Sequence, residues 1–242
     1  MGRGLYTLLL ACAMPLVLGR LWWRGRREPG YRRHLAERFG RYREPPSRPV
    51  IWVHAVSVGE VRAAAPLVRA IAARWPECQV LVTCMTAAGR DTVKQVYGES
   101  VLAAFLPYDL PSSMRRLLEW YRPRVAILME TEVWPNMIAA CVEHGIPVML
   151  ANARLSEKSS LGYARRPHLF NAAFAALAPV CAQTDADAAR LRERGAVAAS
   201  ATGNIKFDVV PDSGRVAEGR AAAQRLERPA IVLASTREGE EE

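Results

Sequence analysis

From residue 50 to residue 202 the chain repeats one pattern: a short apolar run, a polar turn and a segment with helical periodicity. Runs of this length, rich in β-branched residues, read as strands, and the stretches between them read as helices. Trp52-Val53-His54-Ala55-Val56 opens the first strand, bounded upstream by Pro45, Pro46 and Pro49. Further strands are predicted over 79–83, 101–106, 125–129, 147–151, 180–183 and 199–202. Helices are predicted from the Glu60 turn to about Trp75, over 91–97, from a Ser112 N-cap to Tyr121, from Asn136 to a stop at Gly145, and over 186–194. Alternating strands and helices imply an α/β protein with a mostly parallel, doubly wound sheet.

The first unit carries the most pointed signal. Ser57-Val58-Gly59-Glu60 is a tight turn between strand and helix, the opening of a βαβ unit. A carboxylate there stands outside the carboxyl end of a strand, where open α/β sheets place their ligands. Other unusual polar residues fall after strands in the same way: Thr86, Gly89 and Arg90, then Glu130 and Glu132, then Asn152 and Arg154, then Lys206. Each has a structural alternative. Ser57 and Thr86 could cap helices, Glu60 could favour a helix dipole, and Arg154 could pair with a carboxylate. Asp185-Ala186-Asp187 has the D-x-D form that holds a metal on a nucleotide sugar. It sits where a helix should start, so an N-cap and first-turn acid explain it without a metal, and none is expected.

The 242 residues carry a net charge of +9, unevenly placed. Residues 1–50 hold eleven Arg, no Lys and three acids, whereas the remaining chain is close to neutral. Nucleic-acid binders spread their basic residues over a folded face. Here the basic cluster follows the uncharged run 4–19, an order that points to anionic membrane lipids. Sixteen residues reach about 24 Å, short of the ~30 Å hydrocarbon core. Leu21, Trp22 and Trp23 with snorkelling arginines extend the run toward spanning length. An uncleaved anchor, spanning or monotopic, is the expectation, with a cleaved signal peptide ending near Ala11-Cys12-Ala13 as the competing reading. The positive-inside rule puts the globular part on the cytoplasmic side. Tyr31, Leu35 and Phe39 could form one face of a surface helix, or pack back on the domain. Five cysteines without paired spacing and four scattered histidines give no disulfide framework and no metal site.

Four spaced motifs resemble a known family. They are Ser57-Val58-Gly59-Glu60, Met129-Glu130-Thr131-Glu132-Val133-Trp134-Pro135-Asn136, Ala151-Asn152-Ala153-Arg154-Leu155-Ser156 and Thr202-Gly203-Asn204-Ile205-Lys206-Phe207-Asp208. Together with Leu106-Pro107-Tyr108-Asp109-Leu110-Pro111 and the Arg-flanked anchor, they resemble the 3-deoxy-D-manno-octulosonic acid (Kdo) transferases of Gram-negative lipopolysaccharide synthesis. The resemblance implies a GT-B glycosyltransferase of the inner membrane, inverting and metal-independent, with no cofactor. Its Rossmann-like N-terminal domain would bind the lipid A precursor, and a C-terminal domain the donor CMP-Kdo. It implies Glu60 as general base and Glu130 and Lys206 as transition-state stabilisers. Ser57, Gly59, Thr86, Gly89, Arg90, Glu132, Asn152, Arg154 and Glu240 would contact substrate.

The domain plan that follows is an anchor over 1–23, a basic juxtamembrane segment and connector over 24–49, and an acceptor-binding domain over 50–210. A linker over 211–228 and the first strand of a truncated donor domain over 229–242 complete it. Arg237 stands where family members usually carry His, and arginine does not titrate near neutral pH. With most of a donor domain absent, this chain alone is expected to be inactive. Two other functions fit the same residues: a GT-B transferase using a UDP-sugar on a lipid acceptor, and a non-catalytic module that binds an anionic glycolipid.

Overall fold

The computed structural model describes residues 1–209, 213–226 and 234. The chain divides into two compact units, Met1–Asp208 and Val209–Glu242. The first opens with α1 (Arg3–Arg27) and two 3-10 turns, Pro29–Arg32 and Glu37–Phe39. The repeating part follows as β1 (Val50–His54), α2 (Val58–Ala63), α3 (Ala65–Arg74), β2 (Gln79–Cys84), α4 (Ala87–Tyr97), β3 (Val101–Phe105), α5 (Pro111–Tyr121), β4 (Pro123–Met129) and α6 (Pro135–Glu143). It continues with β5 (Val148–Ala153), α7 (Glu157–Ala164), α8 (Pro167–Ala175), β6 (Leu177–Ala182), α9 (Asp185–Glu193), β7 (Ala199–Ala201) and a 3-10 turn, Ile205–Asp208.

All strands of the sheet run parallel in the order β3-β2-β1-β4-β5-β6-β7. The chain therefore builds outward from β1 to one edge, returns to β4, and builds outward to the other. The crevice between β1 and β4 is the topological switch point, where open α/β sheets bind ligands. Because helices cover both faces, the central strands are apolar on both. Trp52, Leu81 and Leu128 join one buried cluster with Leu117, Met137 and Phe174. Val53, Val82 and Ile127 join the opposite one with Val61, Val68 and Val93.

Several boundaries differ from the predicted ones. The helix expected after Glu60 is two, α2 and α3, because Pro66 sits in the first turn of a new helix. Helix α4 starts at Ala87 rather than near Asp91, because the Thr86 hydroxyl accepts the Gly89 N–H at 3.0 Å and caps it. Gly89 and Arg90 are thus helical, not turn residues. Ser112 does not cap α5; Leu110 occupies the N-cap and Pro111 the first position. Strand β5 runs two residues further than expected and takes in Asn152. Helices α7 and α8 lie in a stretch for which no element was predicted.

The segment over 28–48 packs back on the domain rather than forming a surface helix. Tyr31 and Arg38 are buried and Leu35 stays exposed, while Phe39 meets Tyr108 edge-on at 5.7 Å. The second unit contains α10 (Ser213–Gln224), so the linker over 211–228 includes a helix that its lost periodicity did not announce. Its run Ala221-Ala222-Ala223 supplies strong helix formers. The strand expected over 230–234 lies, apart from Ala234, outside the described residues, as do Arg237 and Glu240.

Candidate active site at the switch point

Glu60 lies in the first turn of α2, just beyond the end of β1, and is only 9% exposed. Its two oxygens are held by short-range donors: Oε2 accepts the Val56 N–H and Oε1 the Ser57 hydroxyl, each at 2.9 Å. Ser57 therefore serves the carboxylate and does not cap α2 with its side chain. Burial raises the Glu60 pKa above the usual carboxylate range; the two hydrogen bonds and Lys206 oppose this, and the charge of Glu130 adds to it.

Glu130 directly follows β4, the other strand of the switch. Its backbone takes φ of +56°, left-handed for a residue with a side chain, a conformation that costs about 1–3 kcal/mol and persists only where surroundings enforce it. Its N–H donates to the Ala151 carbonyl of β5 at 2.9 Å. Asn152, next along β5, is also left-handed at φ +53°. Its Oδ1 accepts the Ile205 N–H at 3.1 Å and its carbonyl accepts Gln183 Nε2 at 3.1 Å. Asn204 Nδ2 reaches Gln183 Oε1 at 3.3 Å, and Asn204 Oδ1 accepts the Lys206 N–H at 3.0 Å. This bracket of amides sets the turn that carries Lys206, whose Nζ lies 3.4 Å from Glu130 Oε1. Glu132 belongs to the same field. Trp134 Nε1 donates to it at 2.7 Å, and burial, opposed by that hydrogen bond and assisted by Glu60 and Glu130, raises its pKa.

A model for the family described as 3-Deoxy-D-manno-octulosonic-acid transferase (kdotransferase) matches residues 33–209. The chain belongs to this family. Among similar Kdo transferases, that of Bordetella pertussis is 44% identical over 100% of this chain and 58% of its own length. That of Haemophilus influenzae is 36% identical, again over 100% of this chain and 58% of its own. The chain thus spans somewhat over half the length of these relatives. In fold it is similar to a crystal structure of UDP-N-acetylglucosamine 2-epimerase, with a TM-score of 0.51, 17% identity, and coverage of 69% of this chain and 52% of that one. The fold is GT-B-like, as expected.

The remaining residues singled out by the family resemblance fall in three places. Arg154 has an exposed side chain, and its carbonyl accepts the Thr131 hydroxyl beside Glu130. Gly59 faces solvent, and a Cβ there would meet nothing nearer than Ser57 Oγ at 3.9 Å. Thr86, Gly89 and Arg90 are engaged within the protein. A Cβ on Gly89 would come within 2.8 Å of the capping Thr86 Oγ1. Arg90 makes a two-pronged bond to Glu37, whose Oε2 also accepts the Phe105 N–H at 2.8 Å. The D-x-D segment opens α9. The Asp187 carboxylate accepts the Thr184 hydroxyl at 2.6 Å and the Leu155 N–H at 2.9 Å, so its oxygens serve the helix start.

The most buried carboxylate of this edge was not singled out from the sequence. Asp109 is fully buried; its Oδ1 accepts the Met137 N–H at 2.7 Å, and its Oδ2 accepts the Asn136 N–H at 3.1 Å and the Tyr6 hydroxyl at 3.0 Å. It caps α6 from a distant loop. An Asp between strand and helix, in Pro107-Tyr108-Asp109-Leu110-Pro111, was the available signal. His54, fully buried at the end of β1, bonds Thr83 Oγ1 through Nδ1 at 2.8 Å, and burial lowers its pKa to about 4. It is neutral at physiological pH and serves packing.

Proposed function

We propose that this chain is the acceptor-binding part of a membrane-associated, inverting Kdo transferase that moves Kdo from CMP-Kdo to a lipid A precursor without a metal. The observation that carries the reading is Glu60: a buried carboxylate of raised pKa, at the switch point, facing the charges of Glu130 and Lys206. A carboxylate whose pKa is lifted toward neutrality is a better proton acceptor for a sugar hydroxyl. In the step it would perform, the acceptor hydroxyl gives its proton to Glu60 as its oxygen bonds to the anomeric carbon of Kdo. The bond from that carbon to the CMP phosphate breaks on the opposite side, and its electron pair leaves with CMP. One displacement inverts the centre.

Lys206 offers a cation where negative charge develops, the placement that gives electrostatic stabilisation its effect. Glu130 pairs with the lysine and adds to the burial that raises the Glu60 proton affinity. Donor binding is assigned to the part of the family enzymes that this chain does not span. The basic N-terminal segment fits anionic lipids of the inner membrane, with the globular part on the cytoplasmic side.

The test is Glu60→Gln in a protein that carries both halves, assayed with CMP-Kdo and the acceptor. Loss of a general base lowers kcat by about 10²–10⁴ with acceptor KM within about threefold. A change confined to KM would replace the catalytic reading with a binding one.

A further inference from the structure

Helix α1 is long and apolar enough, by length and composition, to cross a membrane, with a hydropathy of 1.7 in its most apolar window. Its 25 residues reach about 37 Å. Yet it is docked on the domain at both ends. Near its start, Arg3 pairs with Glu143 at 3.1 Å, the Tyr6 hydroxyl donates to Asp109 at 3.0 Å, and Thr7 bonds Asn136. Met14 is buried midway. Near its end, Leu21 is buried with Tyr31 and Ala87, and the Arg32 guanidinium lies 3.9 Å over the Trp22 ring while donating to the Trp22 carbonyl. Gly25 passes so close that a Cβ would sit 2.4 Å from Arg32 Cγ.

From Tyr6 to Leu21 the helix advances about 22 Å with one side against protein. A spanning helix needs lipid around it through ~30 Å of hydrocarbon. Here that would draw the polar surface and open loops of the domain into the bilayer, where unsatisfied backbone groups are not tolerated.

The opposite side of α1 is bare and apolar. Leu5, Leu9, Leu16 and Trp23 are spaced at i, i+4, i+11 and i+18 and so share one helical face; they are 50%, 54%, 77% and 58% exposed. Leu8 and Cys12 border them, and Arg20, Arg24, Arg26 and Arg27 crowd the last turns. Apolar stripe, tryptophans and arginines together describe a helix lying in a lipid interface. The docking points have a direction too. Ala87 opens α4 after β2, Asp109 follows β3, and Asn136 lies in the first turn of α6 after β4. These three lie at the carboxyl edge of the sheet, the edge that carries Glu60 and Glu130, whereas the exposed Arg3–Glu143 pair joins the start of α1 to the far end of α6.

We infer that α1 is an in-plane helix that lays its Leu5–Leu9–Leu16–Trp23 stripe into one leaflet of an anionic bilayer, and so turns the carboxyl edge of the sheet toward the lipid surface. The inference stands whether or not Glu60 is a base.

The test uses the whole chain expressed in a Gram-negative host, with Cys12→Ala and Cys181→Ala as background. Gly2→Cys and Glu28→Cys, made singly, are probed with a membrane-impermeant maleimide in sealed right-side-out and inverted vesicles. An in-plane helix gives both sites the same sidedness. Opposite sidedness, protection of Gly2→Cys in both preparations until detergent is added, or removal of the first residues by processing would each overturn the inference. A second variant, Leu9→Glu with Leu16→Glu, changes only exposed positions. It is expected to weaken sedimentation with phosphatidylethanolamine–phosphatidylglycerol vesicles at least tenfold at an unchanged circular dichroism spectrum. Undiminished binding, or equal binding to phosphatidylcholine vesicles, would overturn the lipid stripe or its preference for anionic lipid.

Discussion

The Lys206 ammonium lies 3.4 Å from the Glu130 carboxylate, on a turn whose amides are tied to Asn152 and Gln183. The pair sits within electrostatic reach of Glu60, and its two members push the Glu60 proton affinity in opposite directions.

That opposition gives a signed pH prediction. A base of raised pKa is protonated and idle over more of the acid range, so transfer rises as pH climbs through it. Lys206→Met removes a lowering influence and should move the acid limb of the kcat profile to higher pH. Glu130→Gln removes a raising influence and should move it lower. Limbs that stay in place in both variants would show that Glu60 does not titrate in the rate-limiting step.

The glycines in the first turns of α2 and α4 should behave differently. Gly89→Ala places a methyl against the Thr86 cap and should destabilise by about 1–3 kcal/mol, read from urea midpoints. Gly59→Ala meets no protein atom closer than 3.9 Å, so its stability should stay within about 0.5 kcal/mol or rise slightly. A fall in transfer at preserved stability would show that a ligand approaches Gly59.

Asp109 should make stability pH-dependent. Burial, opposed by its hydrogen bonds, lifts its pKa from 3.8 to about 6. The folded state therefore favours the protonated form more than the unfolded state does. This contribution is full below about pH 4 and is lost as pH rises through about 6, a change of up to about 3 kcal/mol. Asp109→Asn should flatten that slope in denaturant titrations between pH 4 and 7.

Arg90 and Glu37 should act as one unit. Their side chains are 12% and 14% exposed, and breaking such a pair by removing one partner costs about 3–5 kcal/mol when fully buried, so about half that is expected here. In a double-mutant cycle with Arg90→Ala and Glu37→Gln, the coupling should exceed about 1 kcal/mol. Additive losses, with a raised acceptor KM in Arg90→Ala alone, would return Arg90 to a substrate contact.

The parallel sheet was legible because each buried strand writes a continuous apolar run, as in 125–129. The sheet edge carrying Glu60 and Glu130 followed from strand direction alone. What stayed hidden depends on contacts distant in sequence. Nothing near Arg90 announces Glu37, 53 positions away, and nothing near Asp109 announces the N–H groups of α6. Asn152 looked like a loop residue because a left-handed backbone inside a strand leaves no periodic trace. Helix α7 escaped because the stretch beginning Ser156-Glu157-Lys158-Ser159-Ser160-Leu161-Gly162 reads as polar turn material, although Ser156 caps it by accepting the Ser159 N–H.

The carboxylates at this edge hang from β1 and β4, whereas the cation hangs from β5 and β6 through Asn152 and Gln183. Four neighbouring strands thus support the three corners of a small charge assembly, two of them through the one lysine. Any sliding of one strand past the next changes the spacing of those corners before it disturbs the core. The assembly is a strain gauge for the sheet: a substitution deep in β5 or β6, far from any reacting atom, would register first as an altered proton affinity at Glu60.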